Sequence, residues 1–524
     1  MKRLFIFLTL PILLLSATGF AQFQNVLISS SNSPEEVSIC INPKNPNQVV
    51  AGANINNVYH STNGGLSWAV GTLSDPTNGV YGDPCIFTDT AGNFYFIHLA
   101  DPPAGNWVDR IVCAKSTNGG TTWSNGTYTG LNGTKVQDKA WTAVNPVTNE
   151  IYVTWTQFDV YNSSATTDSS IILFSKSTDG GATWSTPKRI SKNAGDCIDS
   201  DNTVEGAIPA VGPNGEIYVV WTGPNGIVFN KSLDDGNTWL PQETFVTTMP
   251  GGWDYNITGL SRCNGLPITL CDLSNGPNRG TIYINWTDQR NGTTDTDVFL
   301  IKSTDGGSTW SSVMRVNNDV PGKQQFLTWM SIDKTNGNLY FDFYDRRNYA
   351  ASSSQTDVYM AVSSDGGNTF TNYKINQASF TPSPSVFFGD YIGISAFNNM
   401  VRPVWMSYNG STLSAWTAIV DGVTLGISEL NNHTASPIEY LQNYPNPFNQ
   451  TTWIKFKLLK TENVNLGVYD VLGNKVASLY ENEKFKEGSY DYIFNANLYD
   501  MKAGIYYYSL SCDEYQRTGK MVIH

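Results

Sequence analysis

Five carboxylates stand just ahead of short apolar segments. Glu36 precedes VSICI, Asp83 precedes PCIFT, Asp138 precedes KAWTAV and Glu205 precedes GAIPAV; Asp390, one or two places out of step, precedes YIGISAF. Acids gathered by a common fold would raise one another's pKa or recruit a cation, whereas acids left apart are solvated loop ends or bond a neighbouring amide. The stretch DCIDSDNTVE adds Asp196, Asp199 and Asp201 close together, hard oxygen ligands of the kind that suit Ca²⁺. It lacks the glycine and the spacing of a helix-loop-helix calcium loop, so a plain solvated acidic loop is the other reading. Two segments repeat an Asp-x-Arg pattern, Asp288 with Arg290 and Asp345 with Arg347, followed by Thr296-Asp297 and Thr356-Asp357. Side chains two apart on a strand end point the same way, so each pair could fork to a ligand or pin its own loop. Trp329 and Tyr391 add surfaces for stacking and hydrogen bonding.

These residues sit between copies of one motif. STDGGATW at Ser177 recurs as STNGGLSW at Ser61, STNGGTTW at Ser116, SLDDGNTW at Ser232, STDGGSTW at Ser303 and SSDGGNTF at Ser363. Each copy has the chemistry of a tight turn between strands. Asn or Asp at the third place can bond nearby amides, and Gly at the fifth takes positive φ without a Cβ clash. Between copies run strands rich in β-branched and aromatic residues, such as EIYVTWT from Glu150, EIYVVWT from Glu216 and TIYINWT from Thr281. Counting such second strands, with QVVAGAN from Gln48 and RPVWMSY from Arg402, gives seven units. The last unit lacks a box and a fourth strand, and QNVLISS from Gln24 fits that place, which would close a ring and remove sheet edges.

The motif resembles the Asp-box, or BNR repeat, of sialidase-like β-propellers. The fold implied is all-β: a seven-bladed propeller over 22–423 followed by a small β-sandwich domain. In that family the boxes lie opposite the ligand face, which here would carry Asp83, Asp138, Glu205, Asp288, Arg290, Trp329, Asp345, Arg347, Asp390 and Tyr391. A sialidase uses three arginines around the substrate carboxylate, a tyrosine activated by glutamate, and an aspartate for proton transfer. The family's first arginine lies in an Arg-Ile-Pro segment, and the matching region here reads EEVSICINP. Arg290, Arg347 and Arg402 with Tyr391 are substitutes that no motif supports. The expectation is a binder of extracellular glycan or protein, with a sialidase-like glycoside hydrolase of non-standard active site as the alternative; whether it is an enzyme stays open.

The composition agrees with many short strands. Charged residues make up 15% of the 524 and aromatics 13%, with 46 Gly and 24 Pro. A net charge of −13 without a basic patch argues against nucleic acid and anionic lipid as partners. Residues 1–21 have the basic start, apolar run and small residues of an export signal, and no later run is long enough to span a membrane. A monomer without an obligatory cofactor is expected. Export permits disulfides, and Cys197 and Cys263, both in loops leading to inner strands of adjacent units, are expected to pair. Cys40, Cys85, Cys113 and Cys271 read as buried thiols within strands.

After a linker over 424–440 comes a second domain, 441–524. Its Asn443-Tyr444-Pro445-Asn446-Pro447-Phe448, Val468-Tyr469-Asp470 with Gly473, Gly504-Ile505-Tyr506-Tyr507 and Lys520-Met521 resemble the C-terminal sorting domain of type IX secretion cargo of Bacteroidota. That resemblance implies delivery across the outer membrane by the type IX machinery, to the medium or the outer cell surface.

Overall fold

The computed structural model describes residues 23–422, 438–471, 473–512 and 515–524. The expected export signal and most of the expected linker lie outside the described residues. The chain divides into two compact units, one through Val420 and one from Asp421.

The first unit is built from seven four-stranded antiparallel sheets. Six are continuous in sequence, spanning 38–72, 85–129, 136–189, 205–247, 268–315 and 325–374. The seventh takes Gly393–Phe397, Met400–Tyr408 and Leu413–Asp421 from the end of the unit and Gln24–Ser29 from its start. Gln24 pairs with Ile419 and Leu27 with Trp416. The innermost strand of each sheet touches those of its two neighbours, and Ser38–Ile41 touches Gly393–Phe397, so the ring closes. Closure satisfies backbone groups that an open sheet stack would expose at its two ends.

Six of the seven second strands are buried on both faces along their whole length, as in Ile151–Phe158 and Ile282–Asp288, and the seventh, Met400–Tyr408, is buried except at its ends. They alternate in residue type because alternate side chains meet different neighbouring sheets rather than core and solvent. Trp155, Trp221, Trp286 and Trp405 are fully enclosed at matching places in four of them. The indole of Trp155 donates to Gln137 Oε1 at 2.7 Å, and Thr154 Oγ1 donates across to the carbonyl of Ala207 in the next sheet at 2.7 Å. These two polar groups inside the stack are thereby paired rather than stranded.

The boxes join third to fourth strands. Asp179 Oδ1 accepts from the Ser177 hydroxyl at 2.8 Å and from the amides of Ala182 and Thr183, and the Gly181 amide donates to Ser177 Oγ at 2.9 Å. The Thr183 hydroxyl and amide hold the Asp179 carboxyl down to about 2. Gly180 and Gly181 both have positive φ, and a Cβ on Gly181 would press against Cys113 and the Tyr95 ring of the preceding sheet. The residue before the box serine locks one sheet to the next. Lys231 Nζ donates to the carbonyl of Gly306 and Lys302 Nζ to that of Gly366, each at 2.7 Å.

The second unit holds a three-stranded sheet (Ile438–Tyr444, Thr451–Leu458, Gly488–Asn495) and a four-stranded sheet (Glu462–Tyr469, Lys475–Phe485, Gly504–Cys512, Tyr515–Ile523). Both contribute to one core that includes Ile454, Phe456, Leu466, Val468, Phe494 and Leu510. The Asn-Pro-Phe segment is stitched to the last strand. Asn446 accepts from the Val522 amide and donates to the Lys520 carbonyl, and buried Phe448 exchanges backbone bonds with Val522 and His524.

Candidate functional site

Bulges at the start of the inner strands decide which side chains face the centre of the ring. The pairing register breaks between Asp138 and Trp141, between Glu205 and Ile208, and between Phe326 and Trp329. Lys139, Gly206 and Leu327 take left-handed φ inside those bulges, and Glu36 and Asp83 do so just ahead of their strands. A bulge adds a residue to one strand and re-aims the side chains beyond it, and left-handed non-glycine residues are held only where the surroundings enforce them.

Lys139 is the hub of the result. Its Nζ lies 3.0 Å from Asp390 Oδ2, 3.2 Å from Asp83 Oδ2 and 3.9 Å from Asp138 Oδ1, so one buried ammonium links three sheets. Arg262 reaches the same place from the long loop between Thr247 and Ile268. It donates from Nε to Asp390 Oδ1 at 2.8 Å, from Nη2 to Asp390 Oδ2, and from Nη1 to Asp199 Oδ2 at 3.2 Å. Asn54 donates to Glu36 and accepts from the Asp83 amide. Tyr161 donates its hydroxyl to Asp199 Oδ2 at 2.7 Å.

Burial and charge split these acids into two states. Burial raises Asp390, but Lys139 and Arg262 prevail and hold it below the ordinary carboxylate range. Burial pushes Asp138 up to about 7 against the pull of Lys139, and it raises Glu36, with Asp83 adding to the effect. Glu205 is raised by burial and then by Asp199, and neither of its carboxylate oxygens has a hydrogen-bond partner among the described residues. Neutral carboxyls able to donate a proton thus adjoin an ionised one able to accept. Burial works against the charge of Lys139, yet Asp138, Asp83 and Asp390 raise its pKa, so it stays an ammonium.

Aromatic rings lie beneath and beside the acids. Trp141, Trp329 and Tyr391 pack with ring centres 4.6 to 6.0 Å apart. Below Trp141 and Trp329, inner-strand residues including Cys85, Ile208, Ile268 and Ile392 enclose a cavity of about 140 Å³. To one side, Tyr81 and Trp107 meet edge to face at 5.5 Å, and Trp107 meets Tyr161 at 5.7 Å. Tyr81 and Trp107 are 38% and 43% exposed, so this ledge faces solvent and leads through Tyr161 to Asp199.

Asp83, Asp138, Glu205, Asp390 and Tyr391 are therefore gathered, with Trp329 under them. The two Asp-x-Arg pairs are not. Arg290 folds back on Asp288, which also accepts from the Trp286 indole. Arg347 folds back on Asp345 and lies 4.0 Å from the centre of the Tyr359 ring. Asp297 and Asp357 instead pair with Arg315 and Lys374. Each arginine pins its own loop, and neither shares a partner with the central acids. Arg402 is on the box side, bonded to Gly64.

The acidic loop does not converge either. Asp196 accepts from Ile198 and Thr203, Asp199 from Tyr161 and Arg262, and Asp201 from the Asp254 amide. Among the described residues no group of three acidic, histidine or cysteine side chains is placed to hold a metal ion. The Cys197–Cys263 bond is absent, both being free buried thiols. Cys197 faces the backbone of Asp159 and Val160, whereas Cys263 lies against Tyr255 and the Asn264 carbonyl, so the two thiols occupy separate environments.

Sequence reasoning missed Lys139, Arg262, Trp141, Tyr161, Tyr81 and Trp107. The one available signal for Arg262 was a cation in an unusually long loop ahead of an inner strand.

Residues 160–414 match the model of the BNR repeat-like domain, and residues 442–524 match the secretion system C-terminal sorting domain. No curated protein matches the chain. Solved structures similar to it include a Hadza microbial sialidase, at 13% identity and a TM-score of 0.41 over 71% of this chain and 73% of that one. The NanB sialidase from Streptococcus pneumoniae shows 10% identity and a TM-score of 0.43 over 66% and 70%. A polysaccharide lyase, an ulvan lyase, shows 12% and 0.44 over 76% and 96%. The chain thus carries a BNR repeat-like domain within its ring of sheets and a C-terminal sorting domain that marks it for secretion and cell-surface attachment by the type IX system.

Proposed function

We propose that the propeller is a surface-delivered glycan receptor that binds its ligand over the centre of the ring and releases no sialic acid. The observation that carries this reading is the exposed ledge of Tyr81 and Trp107, joined through Tyr161 to the carboxylates around Lys139. Flat aromatic faces beside hydrogen-bonding acids suit the apolar faces and hydroxyls of a pyranose.

Cleavage of sialosides has no support in the residues present. Lys139 and Arg262 already spend their donors on Asp83, Asp199 and Asp390, so no guanidinium fork is offered to a substrate carboxylate. Tyr391, the stand-in nucleophile, is pushed well up by burial and then by Asp83 and Glu36, the opposite of activation. A glycan-array screen of the purified secreted protein, run beside a panel of chromogenic glycosides, tests the proposal. Glycan binding without turnover supports it. Release of sialic acid, lost in Tyr391→Phe, would establish the hydrolase instead.

A further inference from the structure

We propose that the central acids recognise a protonated amine, so that the glycan bound there carries free amino groups, as in an oligomer of unacetylated glucosamine. This rests on the glycan reading above and narrows its ligand. Six carboxylates, those of Glu36, Asp83, Asp138, Asp199, Glu205 and Asp390, surround two cations, Lys139 and Arg262. With both cations already engaged by these acids, the site offers an anionic sugar no free cation, whereas a protonated amine would bring donors and positive charge to carboxyls that outnumber the cations three to one.

Glu205 supplies the second observation. It is 1% exposed, neither oxygen has a hydrogen-bond partner among the described residues, and its electrostatic neighbours are Asp199, Asp138, Lys139 and Arg262. Buried polar groups without partners are rare in native proteins, and an ammonium arriving beside Glu205 would bring the donors that its oxygens lack and favour its ionised form.

Arg262 shows how a ligand cation would sit. Its guanidinium forks onto Asp390, reaches Asp199 and lies 5.5 Å from the Phe387 ring, while its side chain remains 38% exposed. Its loop is fastened beside it by Asn264, which donates to the Asp390 carbonyl, and by Ser261, which donates to that of Val386. Arg262 thus serves as a built-in occupant of an amine site, delivered by a loop that covers the acids, and a ligand amine competes with it.

The test is calorimetric titration of the full secreted protein with glucosamine hexamer and, separately, N-acetylglucosamine hexamer. The amine oligomer should bind at least tenfold more tightly. Glu205→Gln, which keeps the shape, should remove that advantage, bringing the two oligomers to within about twofold of each other; Asp199→Asn reads the same effect if the first variant folds poorly. Arg262→Ala should tighten binding of the amine oligomer by removing its competitor. Equal affinities for the two oligomers, or an amine preference that survives both acid variants, would overturn the amine assignment and leave glycan binding standing. If neither oligomer binds but another glycan on the array does, the amine assignment falls alone. If no glycan binds, both readings fall.

Discussion

Arg402 donates from Nε to the carbonyl of Gly64 at 2.6 Å, joining the seventh sheet to the first box across 338 positions of sequence. It also donates from Nη1 to the carbonyls of Val401 and Val420. This is the ring-closing counterpart of the bonds from Lys231 to Gly306 and from Lys302 to Gly366, with an arginine where the chain must close on itself. A guanidinium holds three carbonyls at once, which a single ammonium at the end of a flexible stem does less well.

Replacing Arg402 by Met should therefore cost more than replacing Lys231 by Met. Bonds to a charged donor contribute about 1.5–3 kcal/mol, and a buried carbonyl left unpaired adds to the loss. Arg402→Met should lower the thermal midpoint by several degrees, whereas Lys231→Met, whose side chain is partly exposed, should lower it by less. Equal midpoints for the two variants would show that closure does not depend on this residue.

The pH dependence of stability should carry the mark of Asp138. Its folded pKa of about 7 lies above the ordinary 3.8, so the folded state binds this proton more tightly than the unfolded chain. The stabilisation is complete below about pH 4 and is lost as pH rises through 7. Asp138→Asn cannot lose it, and Asn can still accept from the Lys139 amide as Asp138 does at 2.8 Å. Between pH 5 and pH 8 the wild-type protein should lose about 1–3 kcal/mol relative to the variant. Denaturant midpoints at the two pH values measure this, and a wild-type midpoint that holds steady or gains relative to the variant's from pH 5 to pH 8 would contradict it.

The boxes and second strands were legible in the sequence because their chemistry is local. Ser177, Asp179 and Gly181 bond one another within five residues, so the motif and the structure are nearly the same statement. Gln24–Ser29 was legible because an incomplete last unit needs a fourth strand, and its pairing with Leu413–Asp421 fills that need. The site was half legible. Acids such as Asp138 and Asp390 could be marked ahead of their strands, but a bulge that turns Lys139 inward leaves no pattern in the sequence. Nor could Arg262 be matched to Asp390, 128 residues away, since only the ring brings them together. The Asp-x-Arg pairs stayed ambiguous in the sequence for the converse reason. Their spacing suits a ligand fork and a loop pin equally, and Trp286 and Tyr359, which favour the pin, are recognised as neighbours only in the fold.

In the sorting domain, Phe448 is the side chain to remove. It is 2% exposed, packs against Phe494, and lies in the segment that Asn446 binds to the last strand. Phe448→Ala should destabilise this domain by about 3–5 kcal/mol and reduce surface delivery. Deleting Leu441 to His524 should hold the propeller in the periplasm. Surface labelling of intact cells reads both, and full display of the truncated chain would refute the role of this domain in export.

Trp107 and Arg347 separate the proposed binding face from the scaffold. Trp107 is 43% exposed and its ring meets those of Tyr81 and Tyr161, so Trp107→Ala should leave the thermal midpoint within a few degrees of the wild type. It should also weaken glycan binding by roughly tenfold, since one lost stacking partner is worth about 0.5–1.5 kcal/mol beyond its buried area. Arg347 behaves in the opposite way. Its guanidinium is tied to Asp345, Asn318 and Asn372 and covers the Tyr359 ring, so Arg347→Ala leaves the buried Asp345 carboxylate without its counter-charge. That variant should lose about 2–4 kcal/mol of stability and bind glycan as the wild type does at temperatures where it remains folded. Binding that is lost in Arg347→Ala but kept in Trp107→Ala would move the ligand away from the ledge and onto the outer loops.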